Sequence, residues 1–489
     1  MTPLDTKPNV STKSEVVLAM EADWAIAESL LEGTACMRLK GEAYLPKWPN
    51  EDQKSYEMRI RVATLFPAFK RTVETLAARP FSKPVTVEEG IGKDFELWFK
   101  NIDMAGRTID QFGFDAMRVA LGPGLGGILA EHPIKPENVV TKADETAAGM
   151  RPYLLLIDPT QILGWRSETK EGAHRLTMLR IMECVEEIDG EWLTKEIPQV
   201  RVLEPGKWTT HRKNAKGDWA EHETGFTTLM EIPFAPFYGE RIAFMQGKPP
   251  LMELAHLNVK HWQSQSDQDT ILHVARVPIL VVTGVTETEE KPFELTIGSS
   301  AAVKLPDDAK MEYVEHSGAA IDAGKTSLDG LKEEMRQSGA ELLVIKPGPT
   351  TATEVATDNA VGMCALQRTS LMMQDALNQA IRFMAQYAKQ NDGKDEYVKL
   401  FMDFAAATLA EASASMLIGL SNGGTLSRET LINELKRRGI LASDVTWVGE
   451  QVLIELEGPG AFPAPPAPPG APVPPKPVPG PTPPKPFNK

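Results

Sequence analysis

Cysteine is scarce in this chain: Cys36, Cys184 and Cys364 are the only three in 489 residues, far apart and each in an apolar context. That usage argues against a disulfide framework or a thiolate metal site and predicts three buried thiols. No run of 18 apolar residues occurs, so no membrane span is expected. The N-terminus has no charged segment followed by an apolar one, which predicts a protein that stays in the cytosol where it is made. Basic charge is also short. The formal net charge is −15, and residues 459–489 hold three lysines and no acid, so the rest of the chain carries −18. A protein built to grip nucleic acid normally shows a basic excess. If this one meets DNA, it does so past walls that repel phosphate.

Catalytic motifs are missing as well. The stretch Gly318 to Thr326 resembles a phosphate loop, but five residues separate Gly318 from Gly324 where the motif needs four, so its amides would not converge on phosphate. The glycines of 122–127 follow a helical pattern rather than a strand, the wrong context for a dinucleotide site, and read as a helix-to-strand turn. His256 and His261 are five apart and do not share a helix face for a metal. Asp267 and Asp269, two apart, read as solvated helix surface, and Asp307-Asp308 as a turn. No Ser/His/Asp or Cys/His set stands out. Nothing here calls for a cofactor, and the chain is not expected to be an enzyme.

What is present is a folded composition, 42% apolar and 24% charged, of a length that suits about three domains. Residues 15–32 carry a helical stripe of Val17, Met20, Trp24, Ala27 and Leu31. A longer helix spans about 53–79, broken or bent at Pro67, and another covers 103–121. Strands are expected at 128–131, 153–157, 176–184, 199–203 and 227–232, giving an α+β region of about 240 residues.

The rest is organised around residues 251–391. A helix over 251–275 has apolar ends, but 263–270 (Gln-Ser-Gln-Ser-Asp-Gln-Asp-Thr) holds no apolar residue. Such a segment is expected to bridge two bodies or to pack through polar contacts against copies of itself. A β-rich insert follows over about 276–321, then a helix over roughly 325–338. A Pro/Gly/Thr loop, 343–351, leads to a helix of about forty residues that ends near Asn391. Thr351 to Glu354 reads as its capping box, Gly362 as its kink, and Val361, Cys364 and Ala365 as part of its apolar stripe. Beyond it, 397–404 is a short strand or helix start, 405–420 is helical, and Ser427 caps a helix over 428–438. Residues 459–489 contain fifteen of the 38 prolines and form a polyproline II or disordered tail, either a partner's ligand or a solubilising end.

This order of parts resembles the portal protein of tailed bacteriophages over most of residues 15–445. The matching segments are Tyr44-Leu45-Pro46 with Tyr56 and Arg59, and Asn101-Ile102-Asp103 leading to Gly106. They continue with Pro249-Pro250-Leu251, the run Leu254 to Asn258, Ser266-Asp267, and Arg276 to Leu280 with Gly284. Glu334-Met335, Gly339-Ala340 and Thr351 to Glu354 complete the set. The resemblance implies an α+β wing at 1–250, stem helices at 251–275 and 323–341, and a β-rich clip at 276–322. It also implies a tunnel loop with a long kinked helix at 342–391, a helical crown at 392–458 and a Pro-rich tail at 459–489.

By the same resemblance the chain assembles as a homo-oligomeric ring, a dodecamer, at one capsid vertex of the virion, after assembly in the bacterial cytoplasm. Double-stranded DNA passes through it without sequence readout. The terminase large subunit, the head–tail adaptor, and the major capsid and scaffolding proteins are its partners. Lys346, Thr350 and Thr351 are expected near the bore. Ile279, Val281, Glu287, Glu289 and Glu290 are expected in the inter-subunit sheet or docking surface, and Gln263, Gln265, Asp267 and Asp269 along the stem lining. The alternatives are a surface loop at 343–351 and an ordinary hairpin with a solvated tip in the insert. A different phage head or connector protein, or an enzyme with an unrecognised site, stays open for the chain as a whole.

Overall fold

The computed structural model describes residues 8–88, 91–134, 136, 139, 141–275, 279–283, 310–314, 318–343, 363–390, 394, 396–402, 417–424, 426–437, 441 and 445–457. The chain divides into two units, Met1–Phe404 and Ala405–Lys489. In the first, the helices are α1 (Glu15–Glu32), α2 (Thr34–Lys40), α3 (Gln53–Val62), α4 (Ala68–Ala77), α5 (Lys93–Trp98), α6 (Ile109–Leu121), α7 (Lys142–Ala147), α8 (Met252–Ala275), α9 (Gly318–Ala340) and α10 (Ala365–Tyr387). Its strands are β1 (Thr86–Val87), β2 (Leu125–Glu131), β3 (Tyr153–Ile157), β4 (Ile162–Lys170), β5 (Ala173–Asp189), β6 (Leu193–Glu204), β7 (Lys207–Lys213), β8 (Trp219–Phe226), β9 (Phe234–Tyr238), β10 (Glu240–Ala243), β11 (Gln246–Lys248), β12 (Ile279–Thr283), β13 (Lys310–Val314) and β14 (Val398–Lys399). The second unit contains α11 (Arg428–Arg437) and α12 (Trp447–Glu457). The mixture is α+β, as expected.

Two sheets organise the first unit. A three-stranded antiparallel sheet runs β3-β2-β9, and a five-stranded meander runs β4 to β8 in sequence order. The larger core joins α1, α4, α6 and α10 to one face of the small sheet through Leu30, Phe69, Phe112, Ile128, Phe237 and Phe383. A second core lies under the meander, where Trp24, Leu129, Ile162, Leu179, Ile181 and Phe234 meet. Gly127 on β2 is fixed by this packing, since a Cβ there would collide with the ring of Phe234 on β9.

Several local expectations hold. The first helix occupies 15–32, its buried side chains including Val17, Trp24 and Ala27 from the apolar stripe. The helix expected over 53–79 is broken before Pro67: α3 ends at Val62, and Pro67 is the N-cap of α4 (φ −84, ψ 51). Ser427 caps α11, its Oγ accepting from Thr430 N at 3.1 Å.

Others need correction. The helix expected from 103 begins at Ile109. Asp103 Oδ1 accepts from the amides of Ala105 (2.9 Å) and Arg107 (3.1 Å). Those bonds hold a turn with Met104 and Gly106 at positive φ, and Thr108 and Gln111 then form the capping box. The strand expected at 227–232 is absent. The β7 partner ends at Lys207, opposite Phe226, and Leu229 N bonds back to Thr227 Oγ1 at 2.9 Å instead. The helix expected at 325–338 runs longer, 318–340, and this places the Gly318 to Thr326 stretch inside a helix. Cys364 is not inside a helix. It is the extended N-cap of α10 (φ −73, ψ 163), and its amide donates to Gln367 Oε1 at 2.9 Å. Of the three thiols only Cys364 is buried; Cys36 is half-buried and Cys184 is exposed, because its end of β5 extends past the body of the sheet. The capping box at 351–354 and the kink at Gly362 lie outside the described residues.

Candidate functional site: the helix pair and its hairpin

The helices α8 and α9 lie against each other and are joined through the antiparallel pair β12–β13, in which Ile279 faces Val314 and Val281 faces Glu312. The inner helix α8 is seated in the body by its apolar N-terminal half: Leu251, Leu254, Ala255 and Trp262 are buried. Within that half sits Asn258, fully buried, whose amide spans the α3/α4 break. Its Oδ1 accepts from Phe69 N at 2.9 Å and its Nδ2 donates to Phe66 O at 2.9 Å. A proline break leaves first-turn amides of the next helix without partners, and this side chain satisfies one of them.

The polar run 263–270 makes contacts within the chain that its sequence does not reveal. Much of it is satisfied within the chain. Gln263 Nε2 donates to Tyr44 O at 3.0 Å, and Gln268 Nε2 donates to Ile321 O of α9 at 3.1 Å. Ser266 and Gln268 are buried. A Cβ at Gly324 would strike Gln268 Oε1, so a side chain there would displace the Gln268 amide. A polar helix segment thus packs on its own neighbours where side-chain amides reach backbone carbonyls. Gln265 and Asp269 bond each other at 2.8 Å, one turn apart.

Asp267 is exposed, and its carboxyl is pushed up by burial of its inner part, against the pull of Arg59 and a bond from Trp48. Beneath it lies a tight cluster. Arg59 pairs with Glu51 at 2.7 Å with both side chains only 4% exposed. Its Nη2 also donates to Pro46 O at 2.8 Å, and its guanidinium lies 4.3 Å from the Trp48 ring centroid. Tyr56 Oη donates to Leu45 O at 3.0 Å. The Arg59 bond holds the Glu51 carboxyl below its usual range. The segments Tyr44-Leu45-Pro46, Tyr56, Arg59 and Asp267 therefore converge on one anchorage at the side of α8.

The outer helix α9 buries one narrow seam, Leu328, Leu331 and Met335, at spacings of three and four, and Leu342 is buried just beyond its end. Its remaining faces are exposed and charged: Asp322, Lys325, Asp329, Lys332, Glu333, Glu334 and Arg336. Lys332 pairs with Asp329 at 3.2 Å and Arg336 with Glu333, so two of the three cations are partly neutralised on the helix itself. Acids outnumber bases on both α8 and α9. His261 is fully enclosed between α8 and Phe66, its pKa lowered first by burial and then by Lys332.

Of the residues singled out from sequence, Gln263, Gln265, Asp267 and Asp269 lie together on α8, with Asp267 the exposed member. Ile279 and Val281 lie on β12, Val281 half-buried. Glu287, Glu289, Glu290, Lys346, Thr350 and Thr351 lie outside the described residues. Sequence reasoning missed the role of Asn258 and the pairing of Glu51 with Arg59. The available signal was an amide inside the apolar stripe Leu254, Leu257 and Trp262. Among the described residues no group of three His, Cys, Asp or Glu side chains is placed to hold a metal ion, and no helix is long and apolar enough to cross a membrane.

A family model described as a domain of unknown function, DUF4055, matches residues 250–388, which span α8, the hairpin, α9 and α10. No curated protein matches the chain. Among solved structures, a chain from the neck of a native GTA particle computed with C12 symmetry is similar at 14% identity and a TM-score of 0.40, over 76% of this chain and 89% of that one. A chain from the virion of a native gene transfer agent particle is similar at 15% identity and a TM-score of 0.39, over 80% of this chain and 96% of that one.

Proposed function

We propose that this chain is a phage portal protein: a subunit of a ring at one capsid vertex that gives double-stranded DNA its way into and out of the head. The observation that carries the reading is the pair α8–α9. It is anchored to the α+β body on one seam, tipped by a hairpin, and leaves a charged, net acidic surface on its other faces. A helix that buries so little in its own chain has surface left for neighbours and for a water-filled bore. Excess acid suits a wall past which DNA slides, because a wall of lysines and arginines would bind phosphates and release counterions at each step. The ordered set of segments shared with portal proteins, several of which meet around Arg59 and Asn258, supports the same reading.

In this reading α8 and α9 are the stem and the hairpin belongs to the clip. The clip docks the terminase large subunit during packaging and the head–tail adaptor afterwards, while capsid and scaffolding proteins contact the outside. The chain itself does no catalysis and needs no cofactor. Light scattering with negative-stain images tests the proposal. A large ring with a central hole, formed alone or on addition of scaffold or capsid protein, is the expected result. A stable dimer with a sealed core overturns it, as does a tightly bound nucleotide or metal that copurifies with an active enzyme.

A further inference from the structure

Among the described residues of α8 and α9, His261 is the only titratable side chain that is buried. It is 1% exposed, and among the described residues neither ring nitrogen has a hydrogen-bond partner. A neutral imidazole always carries one N–H, so a donor is left unsatisfied in the interior, which costs stability. Its place in the pair follows from the register of the two helices. Near the far end of α8, Gln268 meets Ile321 and Gly324 at the start of α9. Two turns back from Gln268 is His261. Two turns on from Ile321 and Gly324 are Leu328 and Leu331, in the buried seam of α9. Lys332, next to Leu331, is the charge on α9 that acts on the ring.

The surroundings of the ring suit its neutral form. Phe66 lies 5.4 Å away, centroid to centroid. Leu257 and Gln265, one turn before and after it on α8, carry no charge, and His256 and Lys260 of the same helix are exposed. From α4, Arg71 reaches the same Phe66, its guanidinium 5.8 Å from that ring centroid. From α9 comes Lys332, and the acid beside it, Asp329, is committed to Lys332 at 3.2 Å. Among the described residues no carboxylate pairs with the imidazole. A protonated ring here would hold two donors without an acceptor, and a positive charge next to that of Lys332.

We propose that His261 makes the α8–α9 contact acid-sensitive: the imidazole is neutral while the helices are closed, and taking up a proton parts α9 from α8 along the Leu328–Leu331 seam. The direction follows from linkage. Burial first, and Lys332 second, hold the ring below its ordinary pKa. The open state therefore binds the proton more tightly than the closed one. The contact is at full strength above about pH 6.5 and weakens as pH falls from there toward the lower value of the closed pair. One proton sets the limit at about tenfold per pH unit. The device concerns a joint within one chain and does not depend on assembly into a ring.

The test is hydrogen exchange on the full chain, read on peptides within 318–340 and corrected for the intrinsic rate at each pH. Between about pH 7.5 and about pH 5.5, protection of α9 in wild type is expected to fall by more than about twofold, and by no more than about tenfold for each unit below 6.5. Other groups titrate in this range, so the comparison with variants carries the result. His261→Phe keeps an aromatic ring against Phe66 but cannot titrate, and His261→Gln keeps a polar side chain that cannot titrate. In each, α9 protection should change by less than about twofold over the same range. His256→Gln, at an exposed position of the same helix, should follow wild type. Wild-type protection that is level across the range overturns the proposal. So does a fall of equal steepness in either non-titrating variant at position 261.

Discussion

Removing the Asn258 side chain isolates the anchorage of the helix pair. Asn258→Ala deletes two buried hydrogen bonds, to Phe69 N and Phe66 O. The losses are unequal. Phe66 O keeps a second donor, the Ala68 amide at 2.9 Å, whereas no other bond to the Phe69 amide is formed in the break. One orphaned buried donor costs about 1–3 kcal/mol, and the second bond about 0.5–1.5 kcal/mol, so the expected loss is about 2–4 kcal/mol. Asn258→Asp separates the two halves. It keeps an acceptor for Phe69 but sets a carboxylate oxygen against Phe66 O. Its defect at neutral pH should equal or exceed that of alanine and shrink on acidification, when a protonated carboxyl can donate again. Urea unfolding of the full chain, with the m-value unchanged, reads the first effect. Amide exchange at Phe69 reads its location. A loss below about 0.5 kcal/mol, or Phe69 exchange equal to that of wild type, would refute the bridging role assigned to this side chain.

Two further outcomes are expected. Glu28 on α1 has its carboxyl pushed up to about 7, first by burial and then by Asp158 and Glu32. The folded chain therefore binds that proton more tightly than the unfolded one, and this stabilisation is complete below pH 4.5 and is lost as pH rises through 7. Linkage sets a ceiling of about 3 kcal/mol, which the partly exposed site reduces to about 1–2 kcal/mol. Glu28→Gln should flatten the stability profile between pH 5 and pH 8 as followed by urea midpoints; parallel profiles for the two proteins would count against the buried carboxyl. On α9, Gly330 has nothing within 4 Å of an added Cβ, whereas at Gly324 it would meet Gln268. Gly330→Ala should stabilise by about 0.5–1 kcal/mol, and Gly324→Ala should gain nothing, since Gln268 must leave Ile321 O. Equal gains in calorimetry would mean that Gln268 does not hold the pair together.

The elements readable from sequence were those whose causes are local. The apolar stripe of 15–32, the proline at 67 and the serine at 427 each act within a turn or two, and each appears where its residues put it. The start of α6 was hidden because a side-chain-stabilised turn at Asp103 competes with helix at almost no cost in pattern. The contacts of the polar run of α8 were hidden for a different reason. Periodicity counts apolar residues, and it cannot see that Gln263 and Gln268 reach carbonyls of Tyr44 and Ile321, 219 and 53 residues away. The extension of β5 past the body of the sheet was likewise invisible: alternation marks a strand but not whether a third strand lies beside it.

The Asn258 bridge also has a meaning in time. Phe69 waits for a partner 189 residues downstream, and Thr86 pairs with Lys399, farther still along the chain. At synthesis rates of about 5–20 residues per second, the first of these partners emerges roughly 10–40 s after the segment it completes. Throughout that interval the break between α3 and α4 lacks its Asn258 bridge, and α4 has α1 and α6 to pack against but not α8 or α9. A chain cut short before α8 therefore lacks the bridge that fixes the α3–α4 break and one of the walls against which α4 packs.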